Sequence, residues 1–160
     1  MGLLNVVLFA SLSTSNKSRI SEVITQVTNV NHLTMIVGLY FMTAGVFLGG
    51  VWANESWGRY WGWDPKETWA WVSIVVYTFV LHLRFIPKLN SPYIFSVVST
   101  LAFASILMTY FGVNFYLSGM HSYATGDPVP IPMWVYVLTA LVFVVIAVSS
   151  RKRDLAKLKV

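Results

Sequence analysis

Residues 57–71 decide how this chain is organised, and they read Trp57-Gly58-Arg59-Tyr60-Trp61-Gly62-Trp63-Asp64-Pro65-Lys66-Glu67-Thr68-Trp69-Ala70-Trp71. The stretch holds five of the seven tryptophans of the chain and four of its charged residues. Long apolar runs lie on both sides of it. An aromatic, charged segment between two membrane-length runs is typical of a loop at a membrane surface. We therefore interpret the stretch as a binding platform that the neighbouring helices hold in place.

The composition indicates an integral membrane protein. Of 160 residues, 56% are hydrophobic and 11% are charged, and the mean hydropathy is +0.65. Soluble domains usually carry about 25% charged residues. The length allows one bundle of a few spans. The chain has no cysteine, which excludes a disulfide framework, a cysteine metal site and a covalent C-x-x-C-H haem attachment within it. The pI near 9.6 does not indicate a nucleic-acid partner, because the basic residues lie beside the apolar runs, where the lipid bilayer accounts for them.

Four uncharged or nearly uncharged runs predict an all-α polytopic fold with four transmembrane helices, over about 33–53, 65–85, 93–117 and 133–150. The second helix has a start signal. Asp64 is an N-cap candidate, Pro65 suits the first helical position, and Glu67 can bond back to the Asp64 N–H as a capping box. This capping predicts that the second helix begins near Pro65.

The predicted organisation has three parts. Residues 1–31 form a leader, with either a short amphipathic helix over 20–30 lying on the membrane or no fixed structure. Residues 32–150 form a four-span domain with outer loops at 54–67 and 118–132. Residues 151–160 form a basic tail.

The basic residues predict the orientation. Nine lie at one end of the spans, namely Lys17, Arg19, Arg84, Lys88, Arg151, Lys152, Arg153, Lys157 and Lys159. Two, Arg59 and Lys66, lie at the other end. The larger group marks the cytoplasmic side, so we expect both termini in the cytoplasm. The tryptophan stretch and the loop at 118–132 then share the outer face.

Three histidines are candidates for iron ligands, because imidazole is a common ligand of haem iron. His121 lies in the second outer loop. His82 lies about 14 residues after Thr68, roughly 21 Å down the helix at 1.5 Å per residue. Ionisable residues inside spans are often functional, yet His82 also fits an ordinary interfacial histidine and His121 a loop residue. His32 begins the first span and has a structural role in our interpretation.

The aromatic residues and the nearby charges each allow two interpretations. Aromatic belts are normal at membrane interfaces, but here the rings crowd into one loop and one helix start, which favours a surface for a planar ligand. The residues concerned are Trp57, Tyr60, Trp61, Trp63, Trp69 and Trp71. Arg59 and Lys66 suit acidic groups of a ligand or pair with Glu55, Asp64 or Glu67. Asp64 and Glu67 resemble an acid–base pair, but capping explains both, so no catalytic group is identified.

Several motifs carry a resemblance to a known family. They are Trp57-Gly58-x-x-Trp61-x-Trp63-Asp64-Pro65-Lys66-Glu67-Thr68-Trp69-Ala70, Gly49-Gly50-Val51-Trp52-Ala53-Asn54, Leu81-His82-Leu83-Arg84, Tyr110-Phe111-Gly112-Val113-Asn114 and Leu117-Ser118-Gly119-Met120-His121-Ser122-Tyr123-Ala124. The pattern resembles the tryptophan-rich "WWD" family of haem-handling proteins in cytochrome c biogenesis, in its CcsA (ResC) branch rather than its CcmC or CcmF branches. The resemblance extends over about residues 33–150 and corresponds to the C-terminal core of longer family members.

The resemblance implies a function in system II cytochrome c maturation. Proteins of this type work with a CcsB (ResB) partner, move haem b to the outer face and present it to the C-x-x-C-H thiols of apocytochrome c. It implies that His82 ligates haem within the membrane and that His121 is an axial ligand at the tryptophan platform. In longer family members the histidine that pairs with the equivalent of His121 comes from a region upstream of this segment, and the partner of the in-membrane histidine is also distant in sequence. This chain is then a split subunit, a short branch or a fragment.

These observations together predict a haem-handling membrane protein, in the bacterial cytoplasmic membrane rather than the thylakoid. Haem attachment would be an activity of the complex, so whether the chain is an enzyme is left open. Two alternatives remain: a b-type cytochrome that transfers electrons, which needs two facing histidines within the spans, and a non-catalytic anchor or a carrier of another flat ligand.

Overall fold

A computed structural model describes residues 1–120 and 130–156, with side chains to Arg153. Every regular element among the described residues is helical, which confirms the predicted all-α class. The helices are α1 (Gly2–Ser11), α2 (Lys17–Trp57), α3 (Pro65–His82), α4 (Pro92–Leu107), α5 (Val113–Tyr116) and α6 (Met133–Ala156). A 3₁₀ turn over Leu83–Phe85 extends α3, and a π-helical turn over Met108–Gly112 joins α4 to α5.

Four helical segments of the described chain are long and apolar enough to cross a membrane, as predicted. They are Lys17–Trp57, Pro65–Phe85, Pro92–Tyr116 and Met133–Arg153. Their large apolar side chains are mostly exposed, with Phe47 at 73% and Leu48 at 71% on α2. A helix that is apolar all round and exposed needs lipid rather than water as its solvent. The exposure therefore fits an integral membrane protein.

The helix boundaries differ from the predicted ones in three places. Residues 20–30 are not a separate surface helix but the first part of α2, which continues for 41 residues. No proline interrupts residues 17–57, so nothing in the sequence ends the helix before Gly58. The first outer loop is shorter than 54–67, because α2 ends at Trp57 and α3 begins at Pro65. Helix α6 continues into the basic tail as far as Ala156. The roles assigned to the leader, the span domain and the tail stay predictions.

The chain divides into two compact units. The first combines Met1–Thr34, Val80–Leu101 and Ile131–Val160. Its apolar core consists of Phe9, Leu12, Ile24 and Tyr93. The rings of Phe9 and Tyr93 meet edge to face at 5.2 Å, the arrangement that aromatic quadrupoles favour. The Tyr93 hydroxyl donates to the Ile146 carbonyl at 3.1 Å, so one side chain links α1, α4 and α6.

A buried amide also joins three helices of this first unit. Asn5 on α1 is fully buried, and its Nδ2 lies within hydrogen-bond distance of Thr28 Oγ1 at 2.8 Å and Ser96 Oγ at 3.2 Å. The helices are close enough that a Cβ at Gly2 would overlap the Ser99 hydroxyl. In lipid there is no hydrophobic driving force for helices to associate, so hydrogen bonds and close packing hold them together.

The second unit combines Met35–Phe79 and Ala102–Pro130. Here a hydroxyl pair links α3 to the π-helical turn: Ser73 Oγ lies 3.0 Å from Thr109 Oγ1, and Ser73 is fully buried. Thr109 Oγ1 also lies 3.1 Å from the Trp69 carbonyl. The π turn thus places a hydroxyl beside the first turns of α3, the helix that follows the tryptophan loop.

We predict that Asn5→Ala destabilises the protein by about 1–3 kcal/mol, the usual cost of removing a buried hydrogen-bonding group. Thermal unfolding of the purified protein in detergent, followed by circular dichroism, measures the change. Asn29→Ala is the matched control, because Asn29 lies on α2 and is exposed, and it should change stability by less than about 0.5 kcal/mol. Equal stability of the two variants would contradict a structural role for the Asn5 amide.

Candidate functional site at the tryptophan loop

The tryptophan loop, residues 58–64, begins with a left-handed glycine. Gly58 has φ +70° and donates its N–H to the Asn54 carbonyl at 2.8 Å. A glycine in this conformation directly after a helix is a common C-terminal stop, because it has no Cβ to clash with the backbone. The last two turns of α2 also carry an aromatic pair, Trp52 and Trp57, whose rings meet edge to face at 5.1 Å. The end of α2 is thereby fixed where the loop starts.

The other end of the loop is the capping box predicted from the sequence. The Asp64 N–H donates to Glu67 Oε2 at 3.2 Å, and the Lys66 N–H donates to Asp64 Oδ2 at 3.3 Å. The Thr68 N–H donates to the Asp64 carbonyl at 2.9 Å. Asp64 is only 7% exposed. Both carboxylates therefore satisfy free N–H groups at the start of α3, as the capping interpretation predicts.

Glu67 also accepts a hydrogen bond from a residue earlier in the loop. Its two backbone donors lie on either side of a residue with a strained backbone. Its Oε2 accepts the Gly62 N–H at 2.7 Å as well as the Asp64 N–H. Between those two residues, Trp63 has φ +57°, a left-handed conformation that costs an ordinary residue roughly 1–2 kcal/mol. The Thr68 hydroxyl lies 3.3 Å from the Trp63 carbonyl. The neighbours on both sides thus hold Trp63 in place, and the residue is 72% exposed.

The loop is connected to the segment after α5 through Asp64. Oδ1 of Asp64 accepts the Met120 N–H at 2.6 Å. The approach is close, since a Cβ at Gly119 would overlap that same oxygen. Met120 directly precedes His121 in the sequence. The buried Asp64 carboxylate therefore caps α3 and also binds the backbone N–H of the residue before His121, a candidate iron ligand.

The two cations of this region have protein partners. The Arg59 guanidinium contacts Met120 Sδ, and a Cβ at Gly62 would overlap it. Lys66 Nζ lies 3.4 Å from Asn114 Oδ1. Arg59 is exposed, so its remaining N–H groups stay accessible to an acidic group.

The aromatic rings of the predicted platform differ in exposure and do not form one flat face. Trp61 and Trp63 meet edge to face at 5.9 Å with an angle of 89° between their planes. Tyr60 is 64% and Trp71 is 50% exposed, whereas Trp57, Trp61 and Trp69 are half-buried. Edge-to-face pairs are favoured over flat ones by the ring quadrupoles. The loop therefore offers one prominent indole, Trp63, braced by the ring of Trp61.

The three histidines differ in their location and contacts. His121 lies outside the described residues. His82 is the last residue of α3 and belongs to the first unit; it is exposed, with its ring 5.7 Å from that of Phe85. His32 accepts a hydrogen bond at Nε2 from Arg84 Nη1 at 3.2 Å, because a guanidinium has only donors. No group of three or more His, Asp or Glu side chains suited to a metal is found within 1–120 and 130–153.

Sequence reasoning did not identify three residues that shape the loop. Thr68 contacts the loop through its hydroxyl, and Met120 through its backbone N–H. The Asn114 amide oxygen contacts the Lys66 ammonium. Thr68 is four residues from Asp64 at a helix start, where hydroxyls often bond locally, so it had a detectable signal. Met120 and Asn114 contribute through tertiary contacts, for which the local sequence has no signal.

Several known proteins are similar to this chain in sequence. Protein NrfI of Wolinella succinogenes is 55% identical over 114 residues, which cover 71% of this chain and 13% of NrfI. The cytochrome c biogenesis proteins CcsA of Solanum lycopersicum and Atropa belladonna are 41% identical over 105 residues and 40% over 121. These alignments cover 66% and 76% of this chain, and 33% and 38% of those proteins. The chain thus spans well under half the length of these relatives.

The residue range that matches the family differs from the predicted range. The resemblance was predicted over about residues 33–150, but the model of the cytochrome C assembly protein family matches residues 1–121. The match therefore includes α1 and all of α2, and it ends at His121. It covers about three quarters of the chain, and the chain belongs to the cytochrome c assembly protein family.

Proposed function

We propose that this chain binds haem b at the tryptophan loop and presents it to apocytochrome c during cytochrome c maturation. The family and the names of the relatives support a role in cytochrome c biogenesis. The observation that carries the finer proposal is Trp63, a bulky residue in a left-handed conformation with an exposed indole. Backbone strain of this kind concentrates at functional sites and persists where the surroundings enforce it.

The residues of the loop fit a large planar ligand. The exposed indole of Trp63 offers an aromatic face against which a porphyrin ring can stack. Tyr60 in the loop and Trp71 in α3 add further exposed aromatic surface. Arg59 is positioned at the loop and suits a propionate carboxylate. Lys66 is a weaker candidate, since its ammonium already meets Asn114. The role of this chain is to bind and orient the haem, whose own iron and vinyl groups supply the chemistry.

We assign His121 as the axial ligand at this platform and His82 as a ligand within the membrane. The bond from Met120 to Asp64 supports the first assignment, because it fixes the backbone next to His121. His82 lies within the apolar segment Pro65–Phe85, which supports the second assignment, because ionisable residues inside spans are often functional. Completing either ligand pair requires a second histidine from a segment distant in sequence, and we propose a CcsB-type protein as the partner of the assembly. We place the loop on the outer face of the bacterial cytoplasmic membrane, with both termini inside.

Replacing Trp63 should separate binding from stability. Trp63→Ala and Trp63→Gly should each weaken haem binding about tenfold, through loss of the indole contact. The glycine variant should be the more stable of the two by about 0.5–1 kcal/mol, because the relieved left-handed strain of about 1–2 kcal/mol exceeds the added chain entropy of about 0.5–1 kcal/mol. Haem titration and thermal unfolding of the purified protein measure the two effects.

Trp134→Ala is the matched control for the Trp63 variants. Trp134 lies on α6, outside the loop, and is 63% exposed, so its loss should leave haem binding unchanged. Equal weakening by the Trp134 and Trp63 variants would reject the loop as the binding surface.

The histidine assignments predict changes in the visible spectrum of the protein co-purified with a CcsB-type partner. His121→Gly and His82→Gly should each lower or shift the Soret band, because each removes a ligand of haem iron. Added imidazole should restore the spectrum, since it replaces the missing ligand without rebuilding the side chain. Absence of a Soret band in the unmodified protein would reject the haem proposal. A band that survives both substitutions unchanged would reject the assignments, and two histidines of one chain facing each other would instead favour the electron-transfer alternative.

The orientation predicts which cysteines a membrane-impermeant maleimide reaches in intact cells. The chain has no cysteine, so single substitutions give a clean background. Glu55→Cys and Ser118→Cys should react in intact cells, because both would lie on the outer face, whereas Lys88→Cys should react only after lysis. The opposite pattern would place the tryptophan loop in the cytoplasm and overturn its role in presenting haem to apocytochrome c outside.

A further inference from the structure

The first unit contains a small, partly open pocket of about 60 Å³ that the haem proposal does not use. It lies where the 3₁₀ turn after α3 leads through residues 86–91 to the start of α4, and the adjacent part of α2 forms its other wall. All of its lining residues belong to this one unit. Both α3 and α4 are spanning segments, so the pocket lies at the ends of two spans, where hydrocarbon meets the headgroup layer.

Arg84 supplies the positive charge of this pocket. Its guanidinium is oriented by His32, whose Nε2 accepts one hydrogen bond from Nη1 at 3.2 Å. An imidazole nitrogen that accepts is unprotonated, so His32 fixes the fork without adding a second charge. Among the described residues that line the pocket there is no aspartate or glutamate. Arg84 is exposed and uses one N–H on His32, and the rest of its planar fork suits phosphate or carboxylate oxygens.

Two further features favour an anion that also has donor groups. The pocket includes Ser91, which directly precedes α4, and the dipole of that helix favours negative charge at this end. It also includes Asn90, whose Oδ1 is buried and has no hydrogen-bond partner among the described residues. A buried acceptor without a partner is costly, and a hydroxyl or ammonium on the ligand would satisfy it.

The remaining walls favour a lipid over a free ion. Leu83, Leu89 and Phe95 give the pocket an apolar side, and Leu83 and Phe95 are themselves buried. Free phosphate gains nothing from such a wall, whereas the glycerol and upper acyl chain of a phospholipid do. We propose that this pocket binds the phosphate of an anionic phospholipid, with Arg84 as its main contact and His32 as a positioning residue.

Lipid retention by the purified protein tests the proposal. Native mass spectrometry from detergent micelles should show phosphatidylglycerol retained more strongly than phosphatidylcholine. Arg84→Gln should reduce retention of phosphatidylglycerol about tenfold, the loss expected for one pair of charge-assisted hydrogen bonds. His32→Phe should reduce it by a smaller factor, since the charge remains but loses its orientation. Because Arg84 is exposed, circular dichroism of Arg84→Gln should match that of the unmodified protein.

Lys88→Gln is the matched control, because it removes one positive charge from the same connecting segment without touching the pocket lining. It should change retention by less than about twofold. Equal losses in the Arg84 and Lys88 variants would mean a diffuse charge effect and would overturn the site. Displacement of the lipid by excess inorganic phosphate would show a free-anion site instead. Loss of haem rather than of phosphatidylglycerol on Arg84→Gln would assign the pocket to haem and also overturn the proposal.

Discussion

The Glu67 carboxylate is the contact on which the tryptophan loop depends. One of its oxygens accepts the Gly62 N–H at 2.7 Å and the Asp64 N–H at 3.2 Å, and Trp63 lies between those two donors. A charged acceptor bonded to two backbone donors is a strong interaction, large enough to offset the roughly 1–2 kcal/mol that a left-handed tryptophan costs. Without that carboxylate, Trp63 would relax toward an extended conformation and its indole would change direction.

Polar bonds have a similar role within the helical parts of both units. In the first unit a single buried amide, Asn5, meets side chains of α2 and α4. In the second unit the Ser73 and Thr109 hydroxyls join α3 to the π-helical turn. Where lipid solvates the apolar faces, burial of apolar area contributes little to helix association. Specific hydrogen bonds and close backbone approach therefore determine which faces of the helices meet.

The sequence predicted those features whose causes are local. The start of α3 at Pro65 followed from the capping residues Asp64 and Glu67, and the four spans followed from uninterrupted apolar length. The bond from Asp64 to Met120 joins residues that are 56 positions apart, and no local pattern encodes it. The length of α2 was missed because polar residues near Lys17 resemble a separate surface helix, although no helix breaker follows them. The left-handed conformation of Trp63 was also missed, because glycine and asparagine are the usual signals for it.

The left-handed conformation of Trp63 is informative about function. Glycine would stabilise a left-handed position better than tryptophan does. Trp63 is also 72% exposed, so its side chain gains little from packing. Folding alone therefore does not explain why this residue type is at this position. A requirement for an aromatic surface in that direction does explain it, and it also explains why Glu67 and Thr68 stabilise the backbone around it. The disagreement between the local preference of tryptophan and its observed conformation thus indicates the same residue to which we assign haem contact.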